Sequence, residues 1–140
     1  HVLRARSDAI LVGRGTLQAD APGLDVRLPG LEDRSPPRVL LSATAVPGDG
    51  WTRIASPQDV GAVAGNWLLV EGGMATAAAF LAADLVDTLV IYQAPIVIGG
   101  GMTLGDIGLA DLSAAHGRWR LADSRLLGSD RLSIYRRVRE

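Results

Sequence analysis

Two short glycine-bearing stretches carry the residues best suited to chemistry. The first runs Gly13-Arg14-Gly15-Thr16 and is followed by Asp20, Pro22, Leu24 and Arg27, with Arg4 a little upstream. The second is Glu71-Gly72-Gly73, which leads into Met74, Ala75, Thr76, Ala77, Ala78 and Ala79. Arginine presents a planar fork of donors that fits phosphate, and a carboxylate such as Asp20 accepts from ribose or amide groups. Glycines where a strand passes into a helix let backbone approach a ligand closely, and the unpaired N–H groups of the first helical turn take phosphate oxygens. Thr76, inside that turn, adds a hydroxyl. On these residues alone two readings stand for each stretch. Gly72-Gly73 is either a phosphate cradle or a tight turn, and Asp20 and Arg27 either face a ligand or make local salt links. Glu71 serves equally well as a helix cap.

Several chemistries are excluded by composition. Gly13-Arg14-Gly15 is not the usual dinucleotide fingerprint, because Gln18 stands where a third glycine is required. All 14 basic residues are arginine, so a phosphate-binding or Schiff-base lysine cannot come from this segment. There is no cysteine, hence no disulfide, thiolate metal site or cysteine nucleophile. With only His1 and His116, a histidine-rich metal centre is excluded, and His116 reads as a loop residue. The net charge of −1 leaves no electrostatic footprint for nucleic acid or an anionic membrane. No apolar run approaches the ~20 residues that span a bilayer, so a cytoplasmic protein is expected.

The elements that must position these residues alternate in type. Ala9 to Gly13 is a continuous apolar run, the pattern of a strand buried on both faces. Gly13 to Asp20 turns into a short helix, and Ala21 to Pro37 reads as a surface loop. Arg38 to Ser42 is a second strand and Trp51 to Ala55 a short third one. Ser56, with Pro57 behind it, opens a helix running to about Ala64. Asn66 to Val70 reads as a buried strand, and Ala75 to Leu85 as a helix with Phe80, Leu81 and Leu85 on one side. Asp87 to Ile98 is strand-like, with Pro95 marking an edge or bulge. Trp119 to Leu126 and Arg131 to Val138 flank the hairpin signal Leu127-Gly128-Ser129-Asp130. Trp51, Trp67 and Trp119 are expected in or partly in the core. This order predicts an α/β fold with a mostly parallel sheet, helices on both faces and an antiparallel hairpin at the C-terminus, in one domain over residues 1–140.

Taken together, the motifs resemble the reductase domain of bifunctional riboflavin biosynthesis deaminase/reductase proteins, whose fold is dihydrofolate-reductase-like. The resemblance rests on Arg4 with Asp8-Ala9-Ile10-Leu11-Val12-Gly13, on Gly15-Thr16, and on Asp20, Pro22, Leu24 and Arg27. It continues through Pro37-Arg38-Val39-Leu40-Leu41-Ser42, Leu69-Val70-Glu71-Gly72-Gly73 and Ala94-Pro95-Ile96-Val97-Ile98-Gly99-Gly100, nearly the whole chain. It implies reduction of 5-amino-6-(5-phosphoribosylamino)uracil to the ribitylamino product, with NADPH as cofactor. By matching position, Thr16, Asp20, Ser42 and Gly73 to Ala79 would contact NADPH. Arg4, Leu24, Arg27 and Glu71 would line the substrate site, and Asp20 would orient cofactor or substrate during hydride transfer. The doublet Gly72-Gly73 also resembles the cis-linked glycine pair of dihydrofolate reductases. The resemblance further implies a homodimer, a deaminase domain upstream, and an opening strand and helix that this segment lacks. The sequence departs from its relatives at Asp25, where many have Thr. The alternatives are a related pteridine or pyrimidine reductase, and a non-catalytic dimerising remnant of the fold.

Overall fold

A computed structural model describes residues 1–101 and 103–139 of the chain. Its centre is β1 (Ala9–Gly13), every residue of which is buried. This strand lies between β2 (Arg38–Leu41) and β4 (Leu68–Val70), with β3 (Trp51–Ile54) outside β2, giving a parallel sheet in the order β3-β2-β1-β4. A strand covered on both faces can carry no solvated side chain, which is why the run is wholly apolar. Alternate residues go to opposite faces. Ala9 and Leu11 pack with Val39, Ile54 and Phe80, while Ile10 and Val12 pack with Leu24.

Among the described residues, three α-helices accompany this sheet: α1 (Val2–Ala5), α2 (Arg14–Asp20) directly after β1, and α3 (Met74–Ala82) directly after the turn that ends β4. α3 presses Phe80 and Leu81 inward. A second sheet, antiparallel, has the order β5-β7-β6, formed by β5 (Thr88–Gln93), β6 (Trp119–Leu127) and β7 (Asp130–Arg137). Gly128, at φ 64°, supplies the positive φ of the hairpin turn between β6 and β7. Among the described residues, the outer edges of β4 and β5 carry no strand partner. Among the described residues, no helix is long and apolar enough to cross a membrane.

The structure shortens several expected elements. The helix expected from Ser56 to Ala64 is a 3-10 helix, Pro57–Ala62. Its start is as expected, with the Ser56 N–H donating to Asp59 Oδ2 at 2.9 Å. The expected strand 66–70 is reduced to Leu68–Val70 and is only half-buried, because β4 stands at the rim of the parallel sheet. The Asp8 carboxylate accepts the N–H groups of Asn66 and Trp67, and Trp67, expected in or partly in the core, is 63% exposed. α3 ends at Ala82, so Leu85 falls outside it and is exposed. β5 stops at Gln93, before Pro95, and stands at the edge of its sheet, one of the two placements the proline predicts; a register irregularity lies in β6 between Leu121 and Asp123.

Asp84, at φ 54° just past α3, ties the two C-terminal strands to the rest of the chain. Its carboxylate accepts from Arg137 Nε at 2.6 Å and from Arg118 Nη2 at 3.3 Å. Arg137, with Arg118 and Arg139 adding to it, holds the Asp84 carboxyl below its ordinary value of 3.8. A carboxyl depressed in the folded state stabilises above its unfolded pKa, and that contribution disappears as pH falls through the folded value. Asp84→Asn keeps a residue tolerant of positive φ and removes only the charge. We expect it to lower the urea midpoint at neutral pH, with the gap from wild type closing below about pH 4. An equal gap at neutral and acid pH would show that the charge is not what stabilises.

Candidate functional site

Because β1 to β4 are parallel, their carboxyl ends share one edge of the sheet, where ligands of open α/β folds bind. Gly13 ends β1 and Arg14 follows it, Ser42 follows β2, Ser56 lies just beyond β3, and Glu71-Gly72-Gly73 follows β4. The ends of β1 and β4 meet at the N-terminus of α3, and those of β2 and β3 lie further along the same edge.

Thr76 is the centre of that junction and is 8% exposed. A Cβ on Gly13 would lie 2.1 Å from Thr76 Oγ1, and one on Gly72 would lie 2.5 Å from Thr76 Cβ. The glycines are thus required for close approach: the ends of β1 and β4 both rest on one helical residue. Gly73 faces Thr16, whose Oγ1 is 3.9 Å from where a Cβ on Gly73 would stand. Thr16 and Gly73, expected on one cofactor, are therefore neighbours. Ala77 N–H bonds to Gly73 O at 3.1 Å, which leaves the amides of Met74, Ala75 and Thr76 without intrahelical partners, as at any helix start. Met74 and Ala75 are exposed, Ala77 and Ala79 half-buried, and Ala78 is buried with Thr76 beneath the turn. No cis peptide bond occurs among the described residues, so Gly72-Gly73 is trans, contrary to the expected likeness to a cis-linked pair.

Ser42 is buried, and its hydroxyl accepts the N–H groups of Thr44 at 3.3 Å and Ala45 at 2.9 Å. It lines a depression of about 410 Å3 beside the ends of β2 and β3, together with Arg14, Thr44, Ser56 and Pro57. This free volume, the Thr76 junction and the exposed first turn of α3 give room and donors for an extended, phosphate-bearing ligand.

On the β4 side, Arg4 reaches from α1 to Glu71 in a two-pronged pair, Nε to Oε1 at 2.9 Å and Nη2 to Oε2 at 2.7 Å. Its Nη1 donates to the Asp25 carbonyl at 3.0 Å. The hydrogen bonds it donates to Glu71 raise the Arg4 pKa further, so this guanidinium is always charged. Leu24, expected beside them, is buried in the same loop at φ 58° and packs on Ile10 and Val12. The geometry changes the expectation for Arg4 in one respect. Its fork is already occupied by Glu71 and Asp25, so it positions the loop and the end of β4 and is not free to receive a phosphate.

Arg27 is exposed, and its N–H donates to His1 Nδ1 at 3.1 Å. Asp20 ends α2, exposed, with no side-chain hydrogen bond among the described residues; no contact joins it to the Thr76 junction or to Arg4 and Glu71. A larger depression of about 540 Å3 lies on the antiparallel sheet, between Gln93, Leu121, Leu126, Arg131 and Tyr135. It has neither a glycine junction nor a helix start, and it belongs to a different sheet from the candidate residues. Arg14 was not singled out as a site residue from the sequence, although an arginine directly after a strand-ending glycine was a usable signal.

Residues 1–50 and 59–132 match the family model described as the RibD C-terminal domain. The riboflavin biosynthesis protein RibD of Mycobacterium tuberculosis is 33% identical over 147 residues, covering 94% of this chain and 43% of the relative. That of Corynebacterium ammoniagenes is 32% identical over 120 residues, covering 74% of this chain and 36% of the relative. The chain thus spans less than half of these curated relatives. Among solved structures, a Thermotoga maritima diaminohydroxyphosphoribosylaminopyrimidine deaminase/5-amino-6-(5-phosphoribosylamino)uracil reductase superposes with a TM-score of 0.78 at 24% identity, over 99% of this chain and 47% of that one. Acinetobacter baumannii RibD superposes at 0.71 with 22% identity, over 98% of this chain and 48% of that one.

Proposed function

This chain belongs to the RibD C-terminal domain family, and we propose that it is a reductase that uses NADPH to convert 5-amino-6-(5-phosphoribosylamino)uracil to its ribitylamino product in riboflavin biosynthesis. The observation that carries the reading is the meeting of Gly13, Gly72 and Thr76 beneath the open first turn of α3, with Thr16 beside Gly73. That arrangement offers backbone donors and closely approachable backbone to a diphosphate, without the glycine fingerprint or lysine that this sequence lacks.

When bound, the nicotinamide would supply a hydride to C1′ of the ring-opened ribose imine, so the protein needs no nucleophile. The chain's own residues bind and orient. The amides of Met74, Ala75 and Thr76 take the diphosphate, Thr16 and Ser42 flank it, and the Arg4–Glu71 pair with Leu24 shapes the wall against which the pyrimidine rests. Arg27, exposed and with no carboxylate in ion-pair distance among the described residues, offers a guanidinium to the substrate's phosphate. Asp20 orients cofactor or substrate once the site is occupied.

We assign the working protein to the cytoplasm, as a homodimer with a deaminase domain upstream. A domain of 14.7 kDa ordinarily exposes about 6,900 Å2. This chain exposes 9386 Å2, including Ile91, Tyr92, Ile96, Val97 and Ile98 around the end of β5. The excess of roughly 2,500 Å2 exceeds what one partner buries in a standard interface, about 800 Å2. It leaves room for a second copy and for a further strand along the free edges of β4 and β5.

Fluorescence titration with NADPH and NADH tests the reading. NADPH is expected to bind, and more tightly than NADH. A folded protein that binds neither nucleotide would make this a non-catalytic member of the fold.

A further inference from the structure

The depression beside β2 and β3 is walled by Leu41, Ser42, Ala43 and Thr44 from one strand end and Ala55, Ser56 and Pro57 from the other. Arg14 is its charged lining residue, and its guanidinium makes a single hydrogen bond, 3.4 Å to the neutral Thr44 hydroxyl. No carboxylate lies within ion-pair distance of it among the described residues, unlike Arg4, Arg118, Arg125, Arg137 and Arg139.

The loop opposite is arranged to tolerate an anion. Its two carbonyls that would repel one, Ser42 O and Ala43 O, both accept from Arg53 Nη1, at 3.1 and 3.0 Å. That brings a second arginine, with no carboxylate in ion-pair distance among the described residues, to the same loop. The nearby acid, Asp59, is held by the N–H and hydroxyl of Ser56 at 2.9 and 3.0 Å. Arg14 against hydroxyl-bearing walls, with the loop carbonyls taken by Arg53, matches a phosphate monoester, whose charge approaches −2 at neutral pH.

We infer that Arg14 is the residue by which this protein distinguishes a 2′-phosphorylated adenosine from an unphosphorylated one. The inference rests on the nucleotide reading above and deepens it. Parallel strands are spaced about 4.8 Å apart, so the boundary of β2 and β3 lies roughly 12 Å along the sheet edge from the end of β4. An extended dinucleotide with its diphosphate at Gly73 would lay its adenosine along that edge, with the ribose 2′ position beside Arg14. The pyrimidine's own phosphate, on the Arg4 and Glu71 side, is left to Arg27.

The test is calorimetric titration of the protein with adenosine 2′,5′-bisphosphate and with 5′-AMP. Wild type is expected to prefer the bisphosphate. Arg14→Gln should reduce that preference about 10- to 100-fold, the worth of a charge-assisted contact, and Arg14→Lys should retain part of it. Because the readout is a ratio of affinities in one protein sample, a loss of folded material does not mimic it. An unchanged ratio in Arg14→Gln overturns the assignment. So does an unchanged ratio accompanied by weaker binding of ribose 5-phosphate, which would give the arginine to the substrate. Failure of wild type to bind NADPH at all would instead overturn the nucleotide reading on which the assignment stands.

Discussion

Gly72→Ala is expected to destabilise the fold by about 2–3 kcal/mol and to weaken NADPH binding at least about tenfold. The added Cβ would lie 2.5 Å from Thr76 Cβ and 2.6 Å from its Cγ2. A Cβ atom is fixed to the helix backbone, so relief requires the first turn of α3 to move, and with it the amides offered to the cofactor. Gly13→Ala makes a sharp comparison. Its Cβ meets Thr76 Oγ1 at 2.1 Å, but Thr76 Cβ only at 3.5 Å. Removing the hydroxyl therefore cures one clash and not the other. Thr76→Ala should restore Gly13→Ala to the stability of Thr76→Ala alone, while leaving Gly72→Ala defective. Urea unfolding of the three single and two double variants reads this directly. Equal rescue of both glycine variants would show that the ends of β1 and β4 do not meet α3 in this way.

Breaking the Arg4–Glu71 pair should cost kcat/KM for the pyrimidine about 100-fold while leaving NADPH affinity within a few-fold of wild type. The pair joins α1 to the end of β4, 67 residues away, and through the Asp25 carbonyl it also holds the loop that carries Leu24. Its side chains are 17% and 34% exposed, so as a simple ion pair it contributes only about 1 kcal/mol to stability. Misplacing a substrate wall by about 1 Å costs far more in turnover. Arg4→Ala and Glu71→Ala should both show the loss in kcat/KM. The reversed pair, Arg4→Glu with Glu71→Arg, should regain stability without regaining turnover, because the contact to Asp25 O is lost. If turnover follows stability through all three variants, the pair is a structural strut only.

The elements most legible in the sequence were those governed by local chemistry or complete burial. Ala9–Gly13 was readable because a strand covered on both faces admits no polar residue. The Ser56-Pro57 start was readable because capping involves neighbours in sequence. What followed Ser56 was not: Gly61 and Gly65 favour a short, tight helix over a longer α-helix, and a capping residue says nothing about where its helix ends. Trp67 was misplaced because an aromatic before an apolar run resembles core, whereas Asp8 takes its backbone and leaves the ring outside. β5 was drawn too long because Ile96, Val97 and Ile98 have strand-forming side chains but lie exposed past Pro95.

The candidate site was legible as residue types and only partly as geometry. The structure sets Thr16 beside Gly73 and pairs Arg4 with Glu71, while the ligands that would meet them were named by the resemblance alone. The Thr76 junction was invisible, since nothing local to Gly13 or Gly72 reports that the same side chain presses on both. Nor could a sequence show that Arg4 spends its donors on Glu71 and Asp25, or that Arg14 keeps most of its own free. Asp20 remains a residue with a role assigned by position alone.

The most direct test is to supply the protein with NADPH and 5-amino-6-(5-phosphoribosylamino)uracil and to follow nucleotide absorbance and product mass together. One NADPH should be oxidised for each pyrimidine converted, and the product should be heavier by two hydrogens, as reduction of the ribosyl group to ribityl requires. A folded protein that binds NADPH yet leaves both compounds unchanged would contradict the reductase assignment.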